Sequence, residues 1–256
     1  VDGMAPIVRH PDVKRMMLRK RAKALASRAI CYACAAAADA VEMGDASAQA
    51  REDLLTPLAK AYGTDVGVEA AGLGVQVHGG MGFMNETLAA QLFRDARIGP
   101  IYEGTNGIQA IDLVGRKLAT DGGEAMKALL GEVERSAEAA RASNDAALAE
   151  AGRRLVAAVA AVRAATGWML QAFRGDRSKA LYAATRYQAE ASVVVGVHFL
   201  LQMAMQAAER GASEADEYAQ LAAFLAAEDL FDGDLAAVLE ASALSAVAMG
   251  DSLVAG

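Results

Sequence analysis

Apolar residues recur at intervals of three and four along most of the chain, the spacing of helices with one buried face. Over residues 11–43 the positions Val13, Met16, Met17, Leu25, Ile30, Ala33, Ala37 and Val41 keep that rhythm. His10-Pro11-Asp12 opens the segment with a proline suited to the first helical position and an acid in the first turn. Gly44-Asp45 closes it. A second helical segment is predicted over 47–77, its ends loosened by Pro57, Gly72 and Gly74. His78-Gly79-Gly80-Met81-Gly82-Phe83 then reads as a turn, because each glycine in a helix costs about 1 kcal/mol. Asn85 and Thr87 are N-cap candidates for a short helix reaching about Ile98, which Gly99-Pro100 ends. Residues 101–107 form a second glycine-flanked loop, and helix resumes over 108–118. Asp121-Gly122-Gly123 is the main internal boundary, dividing the chain into 1–121 and 122–256. Beyond it helices are predicted over 124–143, 147–173, 178–210, 213–229 and 235–253. No stretch alternates with period two long enough for a sheet, so the fold class is all-α, two packed helical bundles.

Composition agrees. Hydrophobic residues make up 54% of the 256 and aromatics only 5%, with alanine about a quarter and just 4 prolines. A chain this apolar can offset the entropy of ordering, which excludes intrinsic disorder. The net charge of -7, with a pI near 5.1, excludes a general nucleic-acid backbone binder. The longest apolar run, 189–208, is interrupted by Glu190, His198 and Gln202, so no membrane insertion is expected. The chain has only Cys31 and Cys34 and no recognisable signal peptide, which places the expectation in a reducing cytoplasm. It opens on Val1 rather than Met, as a numbering that starts inside a longer polypeptide would.

Chemistry concentrates in two glycine-rich loops flanking one short helix, 76–80 and 103–107. Glycines let a large ligand approach backbone amides closely. Glu103 sits among Ile101, Tyr102, Gly104 and Thr105, where partial drying would raise its proton affinity and suit a general base. The bland reading is a surface acid that caps the next helix. Cys31-Tyr32-Ala33-Cys34 has redox or metal spacing but no second pair, so it reads as core packing, and no metal site is expected. His198, in an apolar stretch, reads as a satisfied buried histidine. Arg15, Arg19, Lys20, Arg21 and Lys23 form a dense basic cluster. A solvated helix face is its default reading, with a ligand's nucleotide phosphate as the alternative.

The runs Gln76-Val77-His78-Gly79-Gly80-Met81-Gly82-Phe83, Phe93-Arg94-Asp95-Ala96-Arg97-Ile98 and Ile101-Tyr102-Glu103-Gly104-Thr105-Asn106-Gly107-Ile108-Gln109 together resemble the C-terminal helical domain of FAD-dependent acyl-CoA dehydrogenases. The resemblance covers Ile7 to Leu118. Asp112-Leu113-Val114-Gly115-Arg116-Lys117-Leu118 is similar to the longer bacterial type, which carries an additional C-terminal helical domain. It implies that the whole enzyme oxidises acyl-CoA thioesters to 2-enoyl-CoA, with Glu103 as the base that takes the proton beside the thioester carbonyl. The backbone N–H of Glu103 and a flavin hydroxyl would bind the carbonyl oxygen. Gly104 and Thr105 would lie against the flavin, while Gln76, Val77, Gly79 and Gly80 would meet the FAD adenosine half of a neighbouring subunit. Where short-chain members carry Gln, this sequence has Gly107, and Asn106 is the candidate to replace that flavin contact. Arg94 and Asp95 would form a structural ion pair or a helix contact that steadies the loop before Glu103.

The resemblance further implies a homo-oligomer, dimer or tetramer, and an electron-accepting flavoprotein partner. Relatives of similar build handle a methylthiopropanoyl thioester. The family's N-terminal helical domain and central β-domain have no counterpart in these residues, so the chain is expected to be inactive alone. The competing reading is a non-catalytic helical oligomerisation or interaction module.

Overall fold

A computed structural model describes residues 5–249, with side chains described through Val247. Among the described residues there is no strand, and the fold is an all-α bundle. Two long antiparallel helices come first: α1 (Pro11–Glu42) and α2 (Gln49–His78). Short pieces follow, α3 (Gly80–Phe83), α4 (Ala89–Ala96) and α5 (Asn106–Asp112), the last continuing through a π-helical turn at Leu113–Leu118 into α6 (Ala119–Asp121). Then come α7 (Glu124–Arg141), α8 (Ala146–Gly175), α9 (Arg177–Glu209), α10 (Ala215–Asp229) and α11 (Leu235–Met249). The part of the expected last helix beyond 249 lies outside the described residues.

Local chemistry sets the ends. Pro11 stands at the start of α1 with Asp12 beside it, and Asp145 caps α8 by accepting from Leu148 N at 2.9 Å. Pro57 is not an end signal. It lies inside α2, where its own carbonyl also accepts from the buried Gln188 Nε2 of α9 at 2.9 Å. The glycine cluster is not wholly a turn either, because after Gly79 the chain winds one more helical turn, α3. A Cβ on Gly82 would lie 2.9 Å from His78 Cβ and overlap the Val75 carbonyl, so only glycine lets this turn sit against the end of α2. Neither Asn85 nor Thr87 caps α4. Leu88 precedes that helix in a left-handed conformation, and Thr87 Oγ1 donates back to Met81 O and Met84 O.

The chain turns sharply at Gly122 and Gly123, both left-handed. Even so, the buried side chains form one continuous cluster from Ala22 to Leu239, rather than one core on each side of that turn. Helix α9 is its centre, packing against α1, α2, α5, α7, α8, α10 and α11. Approach to α1 is close enough that a Cβ on Gly196 would sit 3.1 Å from Ala26 Cβ.

Charge joins the same elements. Lys23 lies 2.6 Å from Glu69 and 2.9 Å from Asp229, while Arg19 pairs with Glu69 and lies 2.6 Å from Asp229. Arg15 reaches Asp12 and Glu228, and Arg21 pairs with Glu217. Arg19 and Lys23 are therefore shielded and taken up by acids of α2 and α10 rather than open to a phosphate, whereas Arg15 and Arg21 are exposed, as a solvated face would have them. Cys31 is exposed on α1, whereas the half-buried Cys34 packs against the core cluster, so only the second of the pair fits the core reading. By length and mean hydropathy α1, α8 and α9 could each cross a membrane, contrary to the expectation from uninterrupted runs, since alanine-rich windows tolerate an occasional charge. Helix α9 buries 67% of its apolar window in the core, α8 44% and α1 17%.

His198 is fully buried on α9, with Nδ1 2.5 Å from Ser136 Oγ, but its Nε2 has no partner among the described residues. Its hydrogen bonding is thus half complete. Burial holds its pKa down, from 6.5 to about 4, against the pull of Glu132.

Two outcomes are expected. Gly152 packs so closely on the end of α7 that an added Cβ would lie 2.6 Å from Ala137 O. Gly152→Ala should cost about 1–3 kcal/mol by overpacking, whereas Gly167→Ala, with open space around it, should gain up to about 1 kcal/mol; urea unfolding separates the two. A histidine held neutral in the fold contributes stability above its ordinary pKa and loses it as pH falls from 6.5 toward 4. That loss is about 3 kcal/mol from this group, and His198→Gln should flatten the stability-against-pH curve across the same window.

Candidate functional site

Residues 97–105 leave α4, cross Gly99-Pro100 and enter α5 with Thr105 as its N-cap, whose Oγ1 accepts from Ile108 N at 3.3 Å. Glu103 and Gly104 are both left-handed, at φ +56° and +77°. For a residue with a side chain that conformation costs about 1–2 kcal/mol, so other contacts must hold it. Asn106 N donates to Pro100 O at 3.0 Å, Gln109 Nε2 donates to Glu103 O at 3.2 Å, and Lys60 Nζ donates to Gly104 O at 2.7 Å.

Asn106 is the hub. Its Oδ1 accepts from Lys60 Nζ at 2.8 Å, and its Nδ2 is shared among Ala61 O (3.2 Å), Thr64 Oγ1 (3.0 Å) and Asp65 Oδ1 (2.8 Å). A buried amide so fully engaged with α2 has nothing left to offer a flavin, which corrects the expectation that Asn106 replaces the missing Gln contact. Burial pushes the Asp65 carboxyl up, opposed by the Asn106 hydrogen bond and by nearby Lys60 and Arg97.

The Glu103 side chain is exposed, so these residues do not themselves supply the expected partial drying. Around it Ile98, Ile101, Tyr102 and Ile108 are each more than half exposed, an apolar strip with nothing upon it. Among the described residues, the backbone N–H groups of Glu103, Gly104 and Thr105 donate to no protein acceptor.

The other loop ends α2. Gln76, Gly79 and Gly80 are exposed and Val77 half-buried. Gly79 adopts φ +60°, ψ -144°, a conformation only glycine takes readily, whereas Gly80 has an ordinary backbone and open space where a Cβ would be. Packing within the chain gives no reason for glycine at position 80. Fifteen residues separate Thr64 from Gly79, about 22 Å of helix, so the two loops are distinct zones of one rod. Arg94 and Asp95 are exposed on α4, and among the described residues neither makes an ion pair, so the ion-pair form of the expectation is not met.

Behind Asn106 a cavity of about 170 Å³ opens between α1, α2 and α9, lined by Tyr62, Asp65, Gln188 and Ser192 among others. The buried Tyr62 hydroxyl has no partner there, and burial raises its pKa. A second cavity of about 460 Å³ lies away from both loops, between the start of α2 and residues 116–125, where Lys117 Nζ meets Asp53 at 2.6 Å. No group of three or more metal-ligating side chains exists among the described residues.

Comparison with known proteins bears on this arrangement. The family model described as acyl-CoA dehydrogenase, C-terminal domain, matches residues 2–119, and one described as acetyl-CoA dehydrogenase C-terminal like matches 129–254. The chain belongs to the acyl-CoA dehydrogenase family. It is 44% identical over 188 residues to the 3-methylmercaptopropionyl-CoA dehydrogenase of Ruegeria pomeroyi, covering 70% of this chain and 32% of that protein. Two solved structures share the fold across 99% of it: Caenorhabditis elegans ACDH-11 in complex with C11-CoA (TM-score 0.76, 19% identity, 41% of that chain) and a Bacillus anthracis acyl-CoA dehydrogenase complexed with FAD (TM-score 0.72, 21% identity, 45% of that chain). This acyl-CoA dehydrogenase chain thus spans about a third of the length of its Ruegeria relative and under half of both structures.

Lys60, Thr64 and Asp65 were invisible as site residues in the sequence of this dehydrogenase chain. They share one side of α2, but the loop they hold lies some forty residues on, and no spacing rule connects the two. Asn106→Ala should destabilise the chain by about 1–3 kcal/mol and raise the Asp65 pKa further, since a hydrogen bond that favours the carboxylate is lost. Urea unfolding and NMR titration of the Asp65 carboxyl check both effects.

Proposed function

We propose that this chain is the C-terminal helical part of an FAD-dependent acyl-CoA dehydrogenase, in which Glu103 removes the proton beside the thioester carbonyl. The observation that carries this reading is the loop itself. An exposed carboxylate sits on a deliberately held left-handed backbone, beside unpartnered N–H groups and a bare apolar strip.

The α-proton of a thioester is too weakly acidic for a carboxylate in water, so the base must be dried and the developing oxyanion stabilised. The Glu103 N–H, without a protein acceptor among the described residues, is the donor this chain offers to the carbonyl oxygen. Ile98, Ile101, Tyr102 and Ile108 supply apolar walls that exclude water once substrate and the rest of the protein cover them. FAD would supply the hydride acceptor for the neighbouring carbon. Gly104 and Thr105 are the residues that would lie against it, and Gln76, Val77, Gly79 and Gly80 those that would meet an adenosine half. Gly80 fits that role, because an open position where the chain itself requires no glycine leaves room for a dinucleotide to reach the backbone. In a homo-oligomer, that second contact would be to the cofactor of a neighbouring subunit, as the family resemblance implies. An electron-accepting flavoprotein completes the cycle, and a reducing cytoplasm suits the free Cys31 and Cys34.

The Ruegeria relative favours a short thioether acyl group and the C11-CoA complex a long chain, so the substrate class is an acyl-CoA thioester of either kind. A non-catalytic module would leave the strained Glu103 backbone and its open N–H groups without purpose.

In the complete enzyme, Glu103→Gln should bind flavin normally yet lose reduction by acyl-CoA by at least about 10³-fold, mid-range for a positioned base. Anaerobic stopped-flow absorbance reads this, and ordinary reduction would overturn the assignment. The 256-residue chain alone should show no turnover with an artificial acceptor; robust turnover would refute its dependence on other segments.

A further inference from the structure

Lys60 stands out among the cations of this chain. Among the described residues it makes no ion pair, and both of its hydrogen bonds go to neutral oxygens of one loop, Gly104 O at 2.7 Å and Asn106 Oδ1 at 2.8 Å. A half-buried ammonium that forgoes a carboxylate partner has had its donors directed elsewhere. Gly104 O follows directly on the left-handed Glu103, and Asn106 begins α5, so the single ammonium ties together the exit of the strained turn and the start of the helix that ends it. On the other side Gln109 Nε2 grips the Glu103 carbonyl. The peptide that carries the proposed base is thus held at its own carbonyl from α5 and at the next one from α2.

We infer that Lys60 is a positioning residue for Glu103: its ammonium, anchored on α2, clamps the left-handed 103–104 backbone and thereby aims the carboxylate and its N–H together. The charged groups facing it are Asp65, on the same face of α2, and Arg97, which approaches Asp65 from the preceding loop. Asp65 is not within ion-pair distance of the ammonium, and Arg97 carries the same charge as Lys60. The inference rests on the reading of Glu103 as base, but the clamp itself is a property of this chain and can be tested without it.

Hydrogen exchange on the 256-residue chain is the first arm. Lys60→Met should raise the exchange rates of the Asn106 and Gln109 amides by about tenfold, while Tm stays within a few degrees and the amides of α8 and α9 keep their protection. Lys60→Arg, which retains a charged donor, should restore at least half of the lost protection. Unchanged exchange at Asn106 and Gln109 in Lys60→Met would overturn the clamp. Should Lys60→Met fail to fold, Lys60→Gln takes its place with the same expected loosening.

The second arm uses the complete enzyme. Lys60→Met should slow flavin reduction by acyl-CoA at least tenfold with KM changed less than twofold, and Lys60→Arg should recover most of the rate. A change confined to KM would overturn the positioning role. If the loop loosens on exchange but Glu103→Gln still supports flavin reduction, the base assignment falls and the clamp stands. If Glu103→Gln is dead but Lys60→Met is fully active, the base stands and the positioning inference falls.

Discussion

A backbone that must stay left-handed at a residue bearing a side chain is the constraint around which the functional end of this chain is arranged. Glu103 cannot hold φ +56° unaided, because the cost recurs at every opening of the loop and solvent offers the peptide easier conformations. Rigidity is borrowed from α2. Lys60, Ala61, Thr64 and Asp65 present a charged donor and a set of acceptors to one buried amide, Asn106, whose every polar atom is used. The loop is therefore fixed from inside, and its outward face, the Glu103 carboxylate and three N–H groups, is left uncommitted.

Helix α2 can serve as a post only because the remaining helices immobilise it. Helix α9 runs through the centre of the core and takes hold of α2 at the Pro57 carbonyl through Gln188, less than one turn before Lys60. From α1 and α10, Lys23 and Asp229 close an ion cluster with Glu69 farther along the same helix. Removing one member of such a shielded cluster leaves its partners uncompensated, so the charges specify how α1, α2 and α10 sit together more than they add stability. The helices after Gly123 are thus structurally continuous with the loop-bearing part: they complete its core.

What the chain does not cover is equally ordered. Ile98, Ile101, Tyr102 and Ile108 stand exposed around the carboxylate, and Phe83 and Leu92 on the pieces that follow α2. Apolar side chains grouped beside a polar reactive group match a surface completed by other matter, substrate, cofactor or protein. The Glu103 carboxylate in this chain alone is wet, and the drying that the proposed proton abstraction demands would come from substrate and the rest of the protein.

The one-dimensional pattern determined a good deal. The three- and four-residue rhythm and the lack of alternation defined an all-α chain, and the long helices α1, α2, α7, α8, α9 and α10 fall close to where apolar spacing and capping residues put them, since those signals are local. The motif around Glu103 was equally legible, because its residues are contiguous. Tertiary structure decided the rest. Asn106 turned from a cofactor contact into an internal anchor, since its partners lie forty residues earlier. Arg15, Arg19, Arg21 and Lys23 of α1 proved to be paired with acids of α2 and α10, up to some 210 positions away, and Pro57 sat inside a helix that α9 supports. Each reversal has one physical cause: a side chain's role is set by what it meets across the fold, and no spacing within a helix records that.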